Sequence, residues 1–311
     1  MVETNQTVIK YFILFAFADL HLLQNLLVFV FLLTYITCIM GNMAIIVIIR
    51  IEPSLHTVMY FFISVFSFLE IIAVTITVPK LLANLISGND IISFNQCFTQ
   101  MYVFISSGAT ECYLLLVMVF DRHLAINNPL RYSTIMTPTF CISLAISPWI
   151  IGFSICLVPV IFTACLEFCG PNVIDHFFCD LTPLQNLACS DPFISNTATI
   201  LATAINVELP FIIIIGLYIF IIRTVSKIKS KEGKQKAFST CLSHLIVAIL
   251  FFGTGTIVYG NPMGSRYDKY LAFMYTVFTP TSNPFIYTFR NRDVKKAFRN
   301  SLNHIIKPNG M

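Results

Sequence analysis

Seven runs of roughly 20 apolar residues dominate this chain, each the length a helix needs to cross the hydrocarbon of a bilayer. They fall near 25–49, 58–79, 97–120, 140–164, 196–222, 239–260 and 270–289. Of the 311 residues, 57% are hydrophobic and only 11% charged, against about 25% charged in an ordinary soluble domain. No water-exposed fold buries that much apolar side chain. The expected fold class is therefore an all-α membrane protein: a seven-transmembrane helix bundle. Pro148, Pro159, Pro280 and Pro284 lie inside the fourth and seventh runs, which packed membrane helices tolerate. No internal repeat is visible.

The pattern predicts an extracellular head over 1–24, the bundle over 25–289, and a cytoplasmic amphipathic helix and tail over 290–311. The head lacks the charged start, short apolar core and small-residue cleavage site of a removable signal peptide. Asn5 opens an Asn-Gln-Thr triplet, a glycosylation acceptor if the head is extracellular.

Lysine and arginine set the orientation. With the head outside, the inner segments hold Arg50, Arg122, Arg131, Arg223, Lys227, Lys229, Lys231, Lys234, Lys236, Arg290, Arg292, Lys295, Lys296, Arg299 and Lys307. Only Lys10, Lys80, Arg266 and Lys269 remain outside. Fifteen against four predicts an extracellular amino terminus. The net charge of +4 thus belongs to membrane topology, and no nucleic-acid partner is expected. After the last span, Val294, Ala297, Phe298 and Leu302 recur at helical spacing with Lys295, Lys296 and Arg299 between them. That pattern predicts a helix lying on membrane lipid at the inner leaflet.

The segment between the fourth and fifth runs has no Lys or Arg but carries Cys165, Cys169, Cys179 and Cys189, with Cys97 at the mouth of the third run on the same side. Extracellular cysteines usually pair. Cys38, Cys112, Cys141, Cys156 and Cys241 lie within spans or near the inner face, where reduced, buried thiols are expected.

Several local words go further. "FDRHLAINNPLRY" (120–132) places Asp121 and Arg122 at the inner end of the third run, and "PTSNPFIYTFRN" (280–291) carries an Asn-Pro-x-x-Tyr element. Together with the cysteine at the outer end of the third run, these resemble rhodopsin-like (class A) G-protein-coupled receptors. "LHTVMYFFIS" (55–64), "KAFSTCLSHL" (236–245) and "HFFCDLTPLQNLACSD" (176–191) narrow the resemblance to odorant (olfactory) receptors over nearly the whole chain. Departures from the family pattern are Val58 for Pro, Glu70 for Asp, His123 for Tyr, Asn127 for Cys and Leu217 for Ser.

The resemblance implies a Cys97–Cys179 disulfide and a second one, Cys169–Cys189, with Cys97–Cys189 as the alternative. It implies a small volatile odorant as ligand, a heterotrimeric G protein as partner (stimulatory, raising cyclic AMP), and residence in the plasma membrane of sensory-neuron cilia. Asp121, Arg122, Tyr218, Asn283, Pro284 and Tyr287 are the expected switch residues. A charge near hydrocarbon is costly unless paired; Arg122 would rest on Asp121 and swing to Tyr218 and the G protein when the inner helix ends separate.

Stepping back from Arg122 by whole turns reaches Leu115, Glu111, Gly108 and Phe104 on one stripe of the third helix. Glu111 and Glu70 are then interior acids with no intramembrane base. A shared proton or a bound sodium is expected there, with Asn42 and Asn283 adding oxygens. Phe104, about 27 Å from Arg122 along the helix, marks a ligand pocket completed by Ile105, Gly108, Ala202, Thr203, Asn206, Phe252, Thr256 and Tyr259. No acid is expected on that wall, so the ligand should be small, uncharged and mostly apolar. His176, Cys179 and Asp180 have metal-ligand character, but a disulfide at Cys179 would consume the thiolate. No cofactor is expected. The competing classes are a receptor for a non-odorant metabolite and, more remotely, a transporter or an intramembrane enzyme; Glu111, Cys112 and His244 form no nucleophile–base pair at helical spacing.

Overall fold

The computed structural model describes residues 9–15, 17, 22–230, 234, 242, 244–255, 268–290 and 294–299. Among these, five helices are long and apolar enough to cross a membrane: α1 (Gln24–Ile51), α2 (Val58–Ser87), α3 (Phe94–Asn127), α4 (Pro138–Ala164) and α5 (Phe193–Lys227). The sixth run is described over α6 (His244–Gly255). The seventh, α7, is built from Asp268–Phe273, Met274–Phe278 and Thr279–Arg290. Residues 294–299 are helical, with Val294 and Ala297 buried and Lys295, Lys296 and Arg299 exposed. The seven-helix bundle is the observed architecture. Asn5, Thr256, Tyr259 and Leu302 lie outside the described residues.

Local chemistry sets the helix ends. Ser93 accepts from Gln96 N–H while the Gln96 side chain accepts from Ser93 N–H, a reciprocal cap that starts α3. Thr137 caps α4, with Pro138 in the first turn where a missing N–H costs nothing. Gly88 ends α2 at φ 66°, a left-handed backbone that glycine adopts without a side-chain clash.

Two prolines act differently. In α5, Leu209 N–H reaches back five residues to Ala204 O, forming a π-helical turn over Ala204–Glu208. Pro210 follows and has no N–H to give Ile205 O; the Tyr113 hydroxyl donates to that carbonyl instead, at 2.9 Å. In α7, Thr279 N–H likewise bonds to Met274 O, a second π turn (Met274–Phe278) just before Pro280. Such turns rotate the following side chains relative to a regular helix and cluster at functional sites.

Helix α3 packs against α2, α4 and α5 and is the most enclosed of the five long spans. Lipid offers no hydrophobic drive between helices, so close approach and buried hydrogen bonds hold them. A methyl group on Gly152 of α4 would sit 2.8 Å from Thr110 Oγ1 and 3.1 Å from Ser106 O of α3. The absent side chain is what lets these two backbones meet.

One end of the bundle carries most of the non-helical structure. A three-stranded sheet in the order β2-β1-β3 pairs β1 (Tyr11–Leu14) antiparallel with β2 (Ile91–Ser93) and parallel with β3 (Val173–Ile174). Phe12 and Leu14 are fully buried beneath it. The head is therefore stitched to two loops, and a purely α-helical description omits this sheet. Cys97–Cys179 and Cys169–Cys189 are both disulfide-bonded, matching the expected pairing and not the Cys97–Cys189 alternative. Cys38, Cys112, Cys141 and Cys156 are buried free thiols; Cys165 is free and exposed.

Candidate functional site

A cavity of about 200 Å³ lies between α3, α4, α5, α6 and α7, toward the disulfide end. Phe104, Ile105 and Gly108 line it from α3, Ala202, Thr203 and Asn206 from α5, and Phe252 from α6. The structure thus gathers seven of the nine expected pocket residues on one wall system; Thr256 and Tyr259 are the two outside the described residues. Sequence reasoning missed Cys112, Cys156, Phe251 and Tyr275, which also line it. Gly108 leaves room for Tyr275, since a methyl group there would meet the Tyr275 hydroxyl at 2.9 Å.

The expectation that no acid reaches this wall is wrong. Asp180 and Glu208 both line the cavity. Asp180 sits in the loop between α4 and α5, which the disulfide with Cys97 folds inward through the adjacent Cys179. Glu208 projects about 200° from Asn206 on a regular helix, so a projection that puts Asn206 on the wall leaves Glu208 out; its side chain is also exposed.

The roof of the cavity is aromatic. The Phe104 ring meets Phe178 edge-on at 4.7 Å and Tyr275 at 6.3 Å. Gln100 fixes this roof twice, donating to Ile76 O of α2 at 2.9 Å and accepting from Cys179 N–H at 3.0 Å. His176 stacks on Phe177, with ring centroids 4.9 Å apart, and accepts from Phe178 N–H. Burial lowers its pKa to about 4, helped by Lys269 and opposed by the Phe178 bond and Asp175. Beside it, Lys269 of α7 pairs with Asp175 at 2.8 Å. Cys179 spends its sulfur on the disulfide, which removes the metal-ligand reading of 176–180. Among the described residues no group of three His, Cys, Asp or Glu is placed to hold a metal ion.

Deeper in the bundle, Asn283 donates a hydrogen bond to Glu70 Oε1. Glu70 Oε2 and Asn283 Oδ1 are buried without a hydrogen-bond partner, and Glu111 lies within electrostatic reach of Glu70. Asn42 turns its amide to Cys38 O at 3.1 Å and Pro280 O at 3.5 Å.

At the opposite end of α3, Arg122 Nε donates to Asp121 Oδ2 at 2.8 Å, and Nη2 makes a second bond to the same oxygen. The other carboxylate oxygen is taken by Tyr132, whose hydroxyl donates to Asp121 Oδ1 at 2.6 Å. Tyr132 opens a short helix, Tyr132–Ile135, and was not anticipated. Tyr218 of α5 and Tyr287 of α7 are buried in the same half, in one apolar cluster; Tyr287 OH and His244 Nδ1 have no hydrogen-bond partner. Two departures from the family pattern contact each other: Asn127 Nδ2 donates to His123 Nδ1 at 2.9 Å.

An apolar cavity roofed by a disulfide-tied loop at one end, and an Asp-Arg pair closing the other end of the same central helix, define the class of rhodopsin-like seven-helix receptors. The olfactory receptor family matches residues 31–304. Olfactory receptor 6N1 of Homo sapiens is 42% identical over 304 residues, covering 97% of both chains. Olfactory receptor 10AG1 of Homo sapiens is 43% identical over 294 residues, 94% of this chain and 98% of that one. Olfactory receptor 1f45 of Rattus norvegicus is 42% identical over 305 residues, 97% of each. The chain belongs to the olfactory receptor family: it is a multi-pass membrane receptor, not an enzyme.

Proposed function

We propose that this receptor binds a small, mostly apolar volatile in the cavity and passes the event to a heterotrimeric G protein of the stimulatory, cyclic AMP-raising kind. The observation that carries this is the shared rod: α3 bears Phe104, Ile105 and Gly108 on the cavity wall and Asp121 and Arg122 at its far end. Ala202, Thr203, Asn206 and Phe252 complete the contact surface, and Thr256 and Tyr259 remain contacts expected from the sequence alone. Burial stabilises such a ligand by roughly 25 cal/mol per Å² of apolar surface, which for so few atoms corresponds to affinities on the order of micromolar.

Ligand occupancy favours the arrangement in which Arg122 leaves Asp121 for Tyr218 and the G protein, with Asn283, Pro284 and Tyr287 of α7 moving as one element. Glu70, Glu111, Asn42 and Asn283 hold a sodium ion or a shared proton in the resting state. The unpartnered Glu70 Oε2 and Asn283 Oδ1 are the kind of oxygens either would satisfy. The disulfide end faces outward, as the lysine and arginine distribution and the oxidising chemistry of disulfides support, with Asn5 glycosylated. Lys295, Lys296 and Arg299 rest on anionic lipid, and the receptor works in the plasma membrane of sensory-neuron cilia. The test is a volatile panel on cells expressing the receptor with a stimulatory G protein. Arg122→Ala should abolish the cyclic AMP response at unchanged surface expression; a preserved response contradicts the switch.

A further inference from the structure

Resting on that reading of the cavity, we propose that the receptor selects ligands by a hydrogen-bond-donating head group, a hydroxyl or an amine, received by Asn206 and Glu208. Asn206 is 2% exposed and lines the cavity, yet its Oδ1 has no hydrogen-bond partner. The chain of donors fixes which amide atom is left over. The Cys156 thiol donates to Ile105 O at 3.7 Å, so its sulfur is free to accept, and Asn206 Nδ2 donates to it at 3.6 Å. The remaining amide atom is an acceptor only.

Glu208 stands two residues away in the same π turn and also lines the cavity, although its side chain is exposed. Among the described residues no hydrogen bond or ion pair holds its carboxyl, and no Lys or Arg lies in α5 before Arg223. A carboxylate within a membrane span is costly unless something pairs with it.

The other polar groups of the wall do not reverse this bias. Asp180 accepts from Leu181 N–H at 2.8 Å. Thr199 gives its proton to Ser195 O at 3.0 Å and accepts from Gln185. The hydroxyls of Thr182, Thr203 and Tyr275 can donate or accept and so do not discriminate. A ligand offering only acceptors, such as a ketone, an ester or an ether, would leave Asn206 Oδ1 unsatisfied and gain nothing from Glu208. A mismatch of that kind separates ligands more sharply than small differences in apolar shape.

The cavity holds about seven water-sized groups at roughly 30 Å³ each, which sets the probe size. Four isosteric probes differ only in the head: n-heptanol, n-heptylamine, methyl pentyl ketone and methyl hexyl ether. Cyclic AMP is read in cells expressing the full receptor. The alcohol or the amine should act at concentrations at least about tenfold below the ketone and ether, and Glu208→Leu should shrink that gap to about threefold or less. Glu208→Gln separates the two donors: it removes the amine response and keeps the alcohol response. Should Glu208→Leu fail to reach the surface, Asn206→Leu provides the same comparison. A ketone or ether as potent as both donors, or a gap that survives in the surface-expressed variant, overturns the assignment. Silence of all four probes while Asp121→Asn still raises basal cyclic AMP also overturns it and leaves the receptor reading standing. Silence of that variant as well strikes the receptor reading itself.

Discussion

The Tyr132 hydroxyl hydrogen-bonds to Asp121 Oδ1 at 2.6 Å, on the opposite side of the carboxylate from Arg122. Burial, and then the bond to Asp121, hold the Tyr132 phenol well above its ordinary pKa, so it remains a donor at any physiological pH. The resting position of Arg122 therefore depends on a residue in the loop as well as on its neighbour in the helix. Hydrogen bonds to charged groups contribute about 1.5–3 kcal/mol, a factor of ten or more in a two-state population. Tyr132→Phe should raise basal cyclic AMP several-fold at equal surface expression. Basal signalling equal to the parent would show that Tyr132 does not brace the resting state.

The Cys97–Cys179 bridge positions Phe178 over Phe104 and places Asp180 at the cavity. Non-reducing peptide mapping should recover a Cys97–Cys179 peptide and a Cys169–Cys189 peptide, with only Cys165 labelled at the surface by an impermeant maleimide. Labelling of Cys97 or Cys179 in the untreated receptor would contradict this account of the roof.

The contact between Gly152 and the Ser106–Thr110 turn is backbone against backbone, so a side chain at 152 has nowhere to go. Gly152→Val should destabilise the bundle by about 1–3 kcal/mol, the usual cost of overpacking. It should lower surface expression and the melting midpoint in detergent. Gly170→Ala, in open space, is the control and should change neither.

His176 is neutral in the folded protein because burial opposes its charge. Its folded pKa of about 4 lies below the ordinary value near 6.5, so the unfolded chain binds the extra proton first as pH falls. Stability is then fully present above about pH 6.5 and is lost progressively as pH drops toward 4. The full loss is roughly 3 kcal/mol at 1.36 kcal/mol per pKa unit. Melting midpoints between pH 7 and pH 4 should fall more steeply for the parent than for His176→Phe. Parallel curves would remove His176 from the account.

The bundle was legible because its signal is coarse: length, apolarity and the placement of Lys and Arg survive any local irregularity. The sheet was not, since strands of four, three and two residues are too short to show alternation, and they come from a head that reads as mixed and from two separate loops. The α3 stripe from Phe104 to Arg122 projected correctly because α3 is regular over its length. Glu208 escaped the same method because it projects almost opposite Asn206 on α5. Pro210 and Pro280, each two residues beyond a π turn, mark where α5 and α7 depart from regular helix. Tyr132 was missed for another reason: its role depends on how the loop after α3 folds back, which spacing along the chain does not specify.

The central claim is that occupancy of the cavity beside Phe104 drives Arg122 at the far end of α3. Nucleotide exchange on purified stimulatory G protein, with the receptor in lipid nanodiscs and an activating volatile from the panel, tests it most directly. Ala202 is buried on the cavity wall, and Ala202→Phe would fill much of the space. Exchange by the parent should rise with ligand. Ala202→Phe should need at least about tenfold more ligand, the effect of losing a contact worth roughly 1.4 kcal/mol, and Arg122→Ala should show no stimulated exchange at any concentration. An unchanged concentration dependence in Ala202→Phe, or stimulated exchange in Arg122→Ala, would contradict the account.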